Sequence, residues 1–302
     1  MDTSQSITSI DYAGHRCVQL RNAHGTAILS LHGAHLLSWV PVGQADVFWL
    51  SPSAMPEPAA IRGGVPVCWP WFSSQGMPVG AMSHGPVRNR LWEVAATDPG
   101  DTADPDQPLR ITLTPAPGLT PEDPLRLYAS GLQVSMQVEL TQTLTQTLTT
   151  HNLGDQPFVL TQALHSYFAV SDVRQVQIRG LENRPYACKL SGAQHASHQG
   201  IWQFDQACDR IYQQDAPSTE HHYILSDPAA NRQIHITTQG SQSVVVWNPG
   251  AATAARMADI PDDGWHGFVC IEAANAGADH ITLNPGAQHA LAQTLRLGAW
   301  PC

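Results

Sequence analysis

Charge is scarce in this chain. Only 13% of its 302 residues are Asp, Glu, Lys or Arg, against roughly 25% in an ordinary soluble protein. Basic residues are the scarcer kind: 15 Lys and Arg face 25 Asp and Glu, for a net charge of -10. Such a chain presents no broad cationic field, which argues against nucleic acid or an anionic membrane as a partner. A local group of arginines can still hold one small anion. Long apolar runs are missing too, so no bilayer-spanning helix is expected. Residues 1–14 are polar and lack the order of an export signal. The six cysteines (Cys17, Cys68, Cys188, Cys208, Cys270, Cys302) show no paired short spacing. Reduced thiols and a cytoplasmic location are therefore expected. Also absent are the long Ala, Glu, Lys and Leu stretches of a helix bundle, the Gly-X-Ser-X-Gly of a hydrolase elbow and a mononucleotide-type phosphate loop. Histidines are plentiful, but the densest groups, His32 with His35 and His221 with His222, have no carboxylate or cysteine at a zinc spacing. No metal is expected.

What the chain has instead is alternation. Short stretches such as Arg110-Ile111-Thr112-Leu113-Thr114 and Gln233-Ile234-His235-Ile236-Thr237 put every second side chain on one face, as a half-buried strand does. The longest runs over residues 132–150, with Val134, Met136, Val138, Leu140, Leu144 and Leu148 in one parity. It reads as one long strand or two joined by a turn, its Thr and Gln repeat facing solvent. With 23 Gly and 23 Pro, turns are frequent. Short helical turns are expected at residues 56–60, 203–208 and 251–258, and loops at 98–108 and 115–124. These patterns predict a single all-β domain over residues 1–302, a large antiparallel β-sandwich with a few short helices.

Four segments carry residue types suited to chemistry. In Ile61-Arg62-Gly63-Gly64-Val65-Pro66-Val67-Cys68-Trp69-Pro70-Trp71-Phe72, paired glycines permit close backbone approach beside Arg62, with aromatic faces nearby. Packing of those aromatics in the core explains the segment equally well. Ser83-His84-Gly85-Pro86-Val87-Arg88-Asn89-Arg90 would place His84, Arg88 and Arg90 on one face if extended throughout. Arg offers a planar fork suited to carboxylate or phosphate; the alternative is a surface pair balancing Glu93. His165 stands inside the apolar run Ala163-Leu164-His165-Ser166-Tyr167-Phe168, where it is either a hydrogen-bonded structural residue or a working one. Glu272 stands near the end of Phe268-Val269-Cys270-Ile271-Glu272-Ala273-Ala274-Asn275. A carboxylate buried there is either paired with an Arg or tuned as a base.

Taken in order, these segments resemble the aldose 1-epimerase (galactose mutarotase-like) superfamily, and more closely its hexose-6-phosphate mutarotase branch, the glucose-6-phosphate 1-epimerases. The motifs are Ile-Arg-Gly-Gly-Val-Pro at 61–66, His-Gly-Pro-Val-Arg-Asn at 84–89, Ala-Leu-His-Ser-Tyr-Phe at 163–168, Asp-Arg-Ile-Tyr at 209–212, Val-Trp-Asn-Pro at 246–249, Cys-Ile-Glu-Ala-Ala-Asn at 270–275 and Leu-Asn-Pro-Gly at 283–286. The resemblance covers nearly the whole chain. It implies a supersandwich fold and an isomerase without cofactor or metal, acting on the anomers of glucose 6-phosphate. It further implies His165 as catalytic acid, Glu272 as catalytic base, Arg62 and Arg88 on the phosphate, and Asp209, His84 and Ser83 on the sugar. Relatives often carry Gln where this chain has Ser83, which puts that contact in doubt, and Arg90 has no role in the motif. A non-catalytic sugar-phosphate sensor or carbohydrate-binding protein, and an epimerase of unphosphorylated aldoses, are the competing readings. Nothing in the sequence demands an oligomer, so a monomer is expected.

Overall fold

The computed structural model describes residues 5–100, 104, 107–118, 120, 122–204, 206–214 and 218–299. Residues 1–4, parts of both acidic loops, residue 205 of the turn expected at 203–208, and Cys302 lie outside the described residues. Every strand pairing among the described residues is antiparallel, and the β-sandwich read from alternation is what forms. One layer is a nine-stranded sheet in the order Trp202–Gln203, Gln177–Arg179, Glu220–Asp227, Arg232–Gln239, Gln288–Ala299, Leu144–Asn152, Leu132–Leu140, Leu109–Pro115, Trp92–Asp98. Facing it is a seven-stranded sheet in the order Tyr186–Cys188, Cys208–Gln213, Ser243–Asn248, Phe268–Asn275, Gln162–Leu164, Val67–Cys68. The seventh strand, Tyr167–Ala169, also pairs with Phe268–Asn275. A four-stranded meander over Ser6–Tyr12, His15–Asn22, Gly25–Ser30 and His35–Pro41, and the pair Phe158–Leu160 with Ile281–Leu283, complete the sheets.

The core lies between the two large sheets because each sends one parity of its strands there. Val134, Met136, Leu148, Ile234, Ile236, Leu291 and Leu295 from the first meet Leu164, Phe168, Val244, Val246, Val269 and Ile271 from the second in one buried cluster. Each such side chain stabilises the fold by about 1.5–3 kcal/mol when fully buried. The seven-stranded sheet therefore spends its odd residues of Phe268–Asn275 on the core and turns Cys270, Glu272 and Ala274 the other way, toward two smaller clusters.

Of the two readings of residues 132–150, two strands joined by a turn is the one that forms, Leu132–Leu140 and Leu144–Asn152, turning at 141–143. Other local expectations change. Gln146 and Thr150 share the parity of Leu144 and Leu148 and are fully buried, not solvent-facing. At 56–60 a single turn forms, closed by the Ala59 N–H on the Pro56 carbonyl at 3.1 Å, whereas the 203–208 segment is taken up at both ends by strands. The expected helix at 251–258 shortens to Gly250–Ala254. Another, Pro124–Tyr128, begins where a loop was expected to end, because Asp123 caps it through the Leu125 N–H and Pro124 fills the first position. Among the described residues no helix is long and apolar enough to cross a membrane.

Candidate active site

The free face of the seven-stranded sheet forms the floor of a cleft of about 230 Å³. Strand register assembles its centre. Pairs Leu164 with Ala273 and Tyr167 with Cys270 bracket two residues on each strand, so His165 stands across from Glu272. Val245 pairs with Glu272 from the other side, and Asp209 pairs with Trp247 one strand further out. Side chains at these positions alternate onto one face, which is how residues far apart in sequence meet. His165 Nε2 lies 3.4 Å from Glu272 Oε1, with side-chain exposures of only 10% and 1%.

That pair is underserved. His165 Nδ1 and Glu272 Oε2 are buried and have no hydrogen-bond partner among the described residues. Burial pushes the Glu272 carboxyl well up, the charge of Asp209 adds to the rise, and Lys189 opposes it. Burial likewise pushes the His165 imidazole well down, helped by His84, Arg62 and Arg88. Both groups are thus driven toward their neutral forms. Among the described residues no arginine pairs with Glu272, so the structural ion pair weighed from sequence does not form there.

Loops bring the remaining groups. Gly63 and Gly64 have φ of +101° and +58°, and a Cβ on either would lie 2.4 Å from the carbonyl oxygen of Trp49 or Leu36. Only glycine fits a backbone so close to its neighbours, and the turn delivers Arg62 to the cleft. There the Arg62 Nε and Nη2 sit 2.9 Å from Asp259 Oδ2, and Nη1 donates to the Tyr167 hydroxyl at 2.7 Å. Its charge is matched within the protein. The segment after His84 is not extended: Val87–Asn89 is a 3₁₀ turn, which separates the two arginines. Arg88 lines the cleft, its Nη2 donating to the Ser83 carbonyl at 3.3 Å and its buried Nε unpartnered. Arg90 points elsewhere, to Asp123 at 2.6 Å and to the Ala116 carbonyl. Ser83 is exposed and its side chain is not part of the lining; Ser73 is.

His84 has a defined tautomer. Its Nδ1 accepts from the Ser73 backbone N–H at 3.2 Å, and an amide nitrogen can only donate there. The Cys68 thiol, 3.2 Å from the same atom, must also donate. Burial and the neighbouring cations lower the His84 imidazole to about 3, so the ring is neutral and carries its proton on Nε2.

Sequence reasoning missed Lys189. It lines the cleft 3.9 Å from Asp209 and lies over the Phe72 ring. The signal was available, since this is the only lysine in the chain. Trp247 and Phe72 supply apolar walls, while Trp69 is buried in the main core. A larger cavity of about 530 Å³ beside Tyr12 and Pro56 is lined by His15, whose partner Glu57, 3.1 Å away, is 46% exposed, so that pair lacks the burial of His165 and Glu272.

Residues 16–296 match the aldose 1-epimerase family. The chain belongs to that family. This aldose 1-epimerase family member is 35% identical over 276 residues to a protein of Escherichia coli (strain K12) named "Putative glucose-6-phosphate 1-epimerase", covering 90% of this chain and 86% of that one. It is 30% identical over 276 residues to a protein of the same name from Cenchrus ciliaris, covering 89% and 80%. The crystal structure of a "putative mutarotase" from Salmonella typhimurium superposes with a TM-score of 0.84 at 30% identity, covering 97% of this chain and 94% of that one. A galactose mutarotase-like protein from Clostridium acetobutylicum, at 14% identity and a TM-score of 0.74, shares the fold. As an aldose 1-epimerase family member, the chain is a sugar epimerase in class, with the galactose mutarotase-like fold.

Proposed function

We propose that this epimerase is a hexose-6-phosphate mutarotase acting on glucose 6-phosphate, with Glu272 as base and His165 as acid. One observation carries the reading: an unsatisfied His–Glu pair opens onto the same cleft as Arg88 and the chain's lone lysine. To exchange anomers, the pyranose must open, turn about C1–C2 and close on the other face. The Glu272 carboxylate takes the proton of the C1 hydroxyl while the C1–ring-oxygen bond breaks, its electron pair passing to the ring oxygen. The His165 imidazolium protonates that oxygen as the C1 carbonyl forms. Closure returns both protons, and nothing is oxidised or reduced, so the chemistry calls for no cofactor. Each positioned transfer contributes about 10² to 10⁴ in rate.

Burial helps this sequence in a specific way. Ion pair and neutral pair hold the same number of protons, and ring opening converts the first into the second. Since desolvation raises Glu272 and lowers His165, the cleft favours the side chains as they stand beside the open-chain sugar. The other groups fit supporting roles. His84 offers Nε2–H to a substrate oxygen, and Asp209 accepts from sugar hydroxyls.

A 6-phosphate brings nearly two negative charges. Arg88, without an ion-pair partner among the described residues, and Lys189 meet them, while Arg62 adds donors whose charge Asp259 already matches. All these groups come from one chain, so a monomer suffices. Free thiols at Cys17, Cys68, Cys188 and Cys270 suit the cytoplasm.

The test dissolves α-glucose 6-phosphate and follows the anomers by NMR with trace protein. Equilibration should accelerate, and far more than for free glucose. Arg88→Ala and Lys189→Ala should each raise KM for the phosphorylated sugar by about tenfold or more, the worth of one charge-assisted hydrogen bond. Equal effects on glucose would move the substrate to an unphosphorylated aldose. Binding without acceleration would make the protein a sensor.

A further inference from the structure

Behind His165, on the opposite face of its sheet, the sandwich core holds a line of polar side chains that the chemistry above does not use. Residues 164, 166 and 168 face the core, and Leu164 and Phe168 belong to its main cluster. Between them stands Ser166, fully buried. Its hydroxyl donates to Gln293 Oε1 at 2.8 Å, and Gln293 Nε2 donates to Gln146 Oε1 at 2.7 Å. Gln293 and Gln146 pair across adjacent strands of the nine-stranded sheet. Each is flanked two residues away by core leucines, Leu291 and Leu295 for one, Leu144 and Leu148 for the other. All three polar residues thus occupy slots where strand alternation calls for aliphatic side chains. The line ends on Gln146 Nε2, a buried donor without a partner.

A core of aliphatic residues at these positions would avoid that unpaired amide, so stability alone does not explain the line. Its location does. At His165 the regular ladder is interrupted, with one bond to the neighbouring strand kept, from the Ile271 N–H to the Ser166 carbonyl at 3.3 Å. The Ser166 N–H turns back to the Leu164 carbonyl at 3.0 Å, and the His165 N–H donates to the Pro66 carbonyl at 3.0 Å. The backbone that aims His165 is therefore a local two-residue break, and the Ser166 hydroxyl ties that break to the opposite sheet.

We propose that Ser166, Gln293 and Gln146 form a brace across the core that fixes the turn at His165 and holds its imidazole against Glu272. They are positioning residues, since none reaches the cleft. The brace rests on the acid–base reading of His165 and Glu272. Reacting groups misplaced by about 1 Å can lose on the order of 10² in rate.

Two variants test it: Ser166→Ala, and the triple Ser166→Ala/Gln293→Leu/Gln146→Leu, which removes every polar atom of the line. The triple variant should melt at or above the temperature of Ser166→Ala, because no partner is left unpaired. Both should lose kcat by about tenfold or more with KM within about twofold of wild type. A triple variant with wild-type kcat overturns the brace. If the triple variant does not fold, Ser166→Ala decides by the same split between kcat and KM. The ¹⁵N signals of the His165 ring in the substrate-free protein give a second readout. They should shift or broaden in Ser166→Ala, and unchanged signals with unchanged kcat overturn the proposal. Should the wild type speed no anomerisation, the mutarotase reading fails, while a changed His165 signal would still support the brace.

Discussion

Asp227 and Glu272 are carboxylates buried to nearly the same degree, at 2% and 1% exposure, and they are treated in opposite ways. Asp227, at the end of Glu220–Asp227, accepts from the Ser171 N–H at 2.7 Å and the Ala230 N–H at 3.2 Å. Its two oxygens organise loops. Among the described residues Glu272 receives no backbone donor, and the polar group close to it is the His165 ring, 3.4 Å away. Burial alone marks neither as functional. What separates them is hydrogen-bond supply: the fold completes Asp227 and leaves Glu272 incomplete, available to a ligand.

The largest expected effect breaks this contrast directly. On the proposed reading of Glu272 as base, Glu272→Gln should lower kcat by at least about 10², while Asp227→Asn should leave kcat within twofold. Stability should move the other way. An Asn amide at 227 turns an N–H toward backbone N–H groups and should cost about 1–3 kcal/mol. The raised Glu272 carboxyl keeps its proton in the folded state after the unfolded chain has released it, so its contribution is full at acid pH and is lost as pH climbs through the raised value. Glu272→Gln should therefore melt higher than wild type at neutral pH, with the advantage disappearing below the ordinary carboxyl range. Melting curves at several pH values, beside kcat for both variants, decide it. A Glu272→Gln protein that is active, or that is less stable at neutral pH, sinks the contrast.

A smaller effect sharpens the electrostatics of the incomplete pair. Burial lowers His165 and raises Glu272, so the one-proton state spans a wide window. The acid limb of kcat/KM should fall below the usual imidazole range and the alkaline limb above the usual carboxyl range. Asp209 contributes to the rise of Glu272, so Asp209→Asn should move the alkaline limb toward acid. NMR titration of His165 in the free protein checks the first limb independently, and titration at the ordinary imidazole value would contradict it.

How much of this was legible in the sequence follows from what alternation can and cannot encode. Period-two patterning predicted the sandwich, and the motifs around His165 and Glu272 pointed to the residues that meet. Alternation says only that one parity is buried, however, and a Gln among leucines looks like a surface repeat until an opposing strand supplies its partner. Gln146 was misplaced for that reason. Lys189 stands in the turn just after the short strand Tyr186–Cys188, where no apolar pattern marks it, so its approach to Asp209 depends on tertiary register. The 3₁₀ turn at Val87–Asn89 rotates Arg88 and Arg90 apart, and strand periodicity carries no information about such a turn.

That last separation yields the smallest expected effect. Arg90 and Arg88 are two residues apart and alike in type, yet only Arg88 faces the cleft. Arg90 bonds to Asp123 and to the Ala116 carbonyl, and Asp123 in turn caps Pro124–Tyr128. Removing the guanidinium leaves a part-buried carboxylate and a carbonyl without their donor. Arg90→Ala should thus cost about 1–2 kcal/mol in stability while KM for glucose 6-phosphate stays within twofold, the reverse of Arg88→Ala. Denaturant unfolding and steady-state kinetics on the two single variants measure both quantities. A rise in KM for Arg90→Ala comparable to that of Arg88→Ala would mean that the turn does not separate them, and the cleft would have to be redrawn with three arginines at its edge.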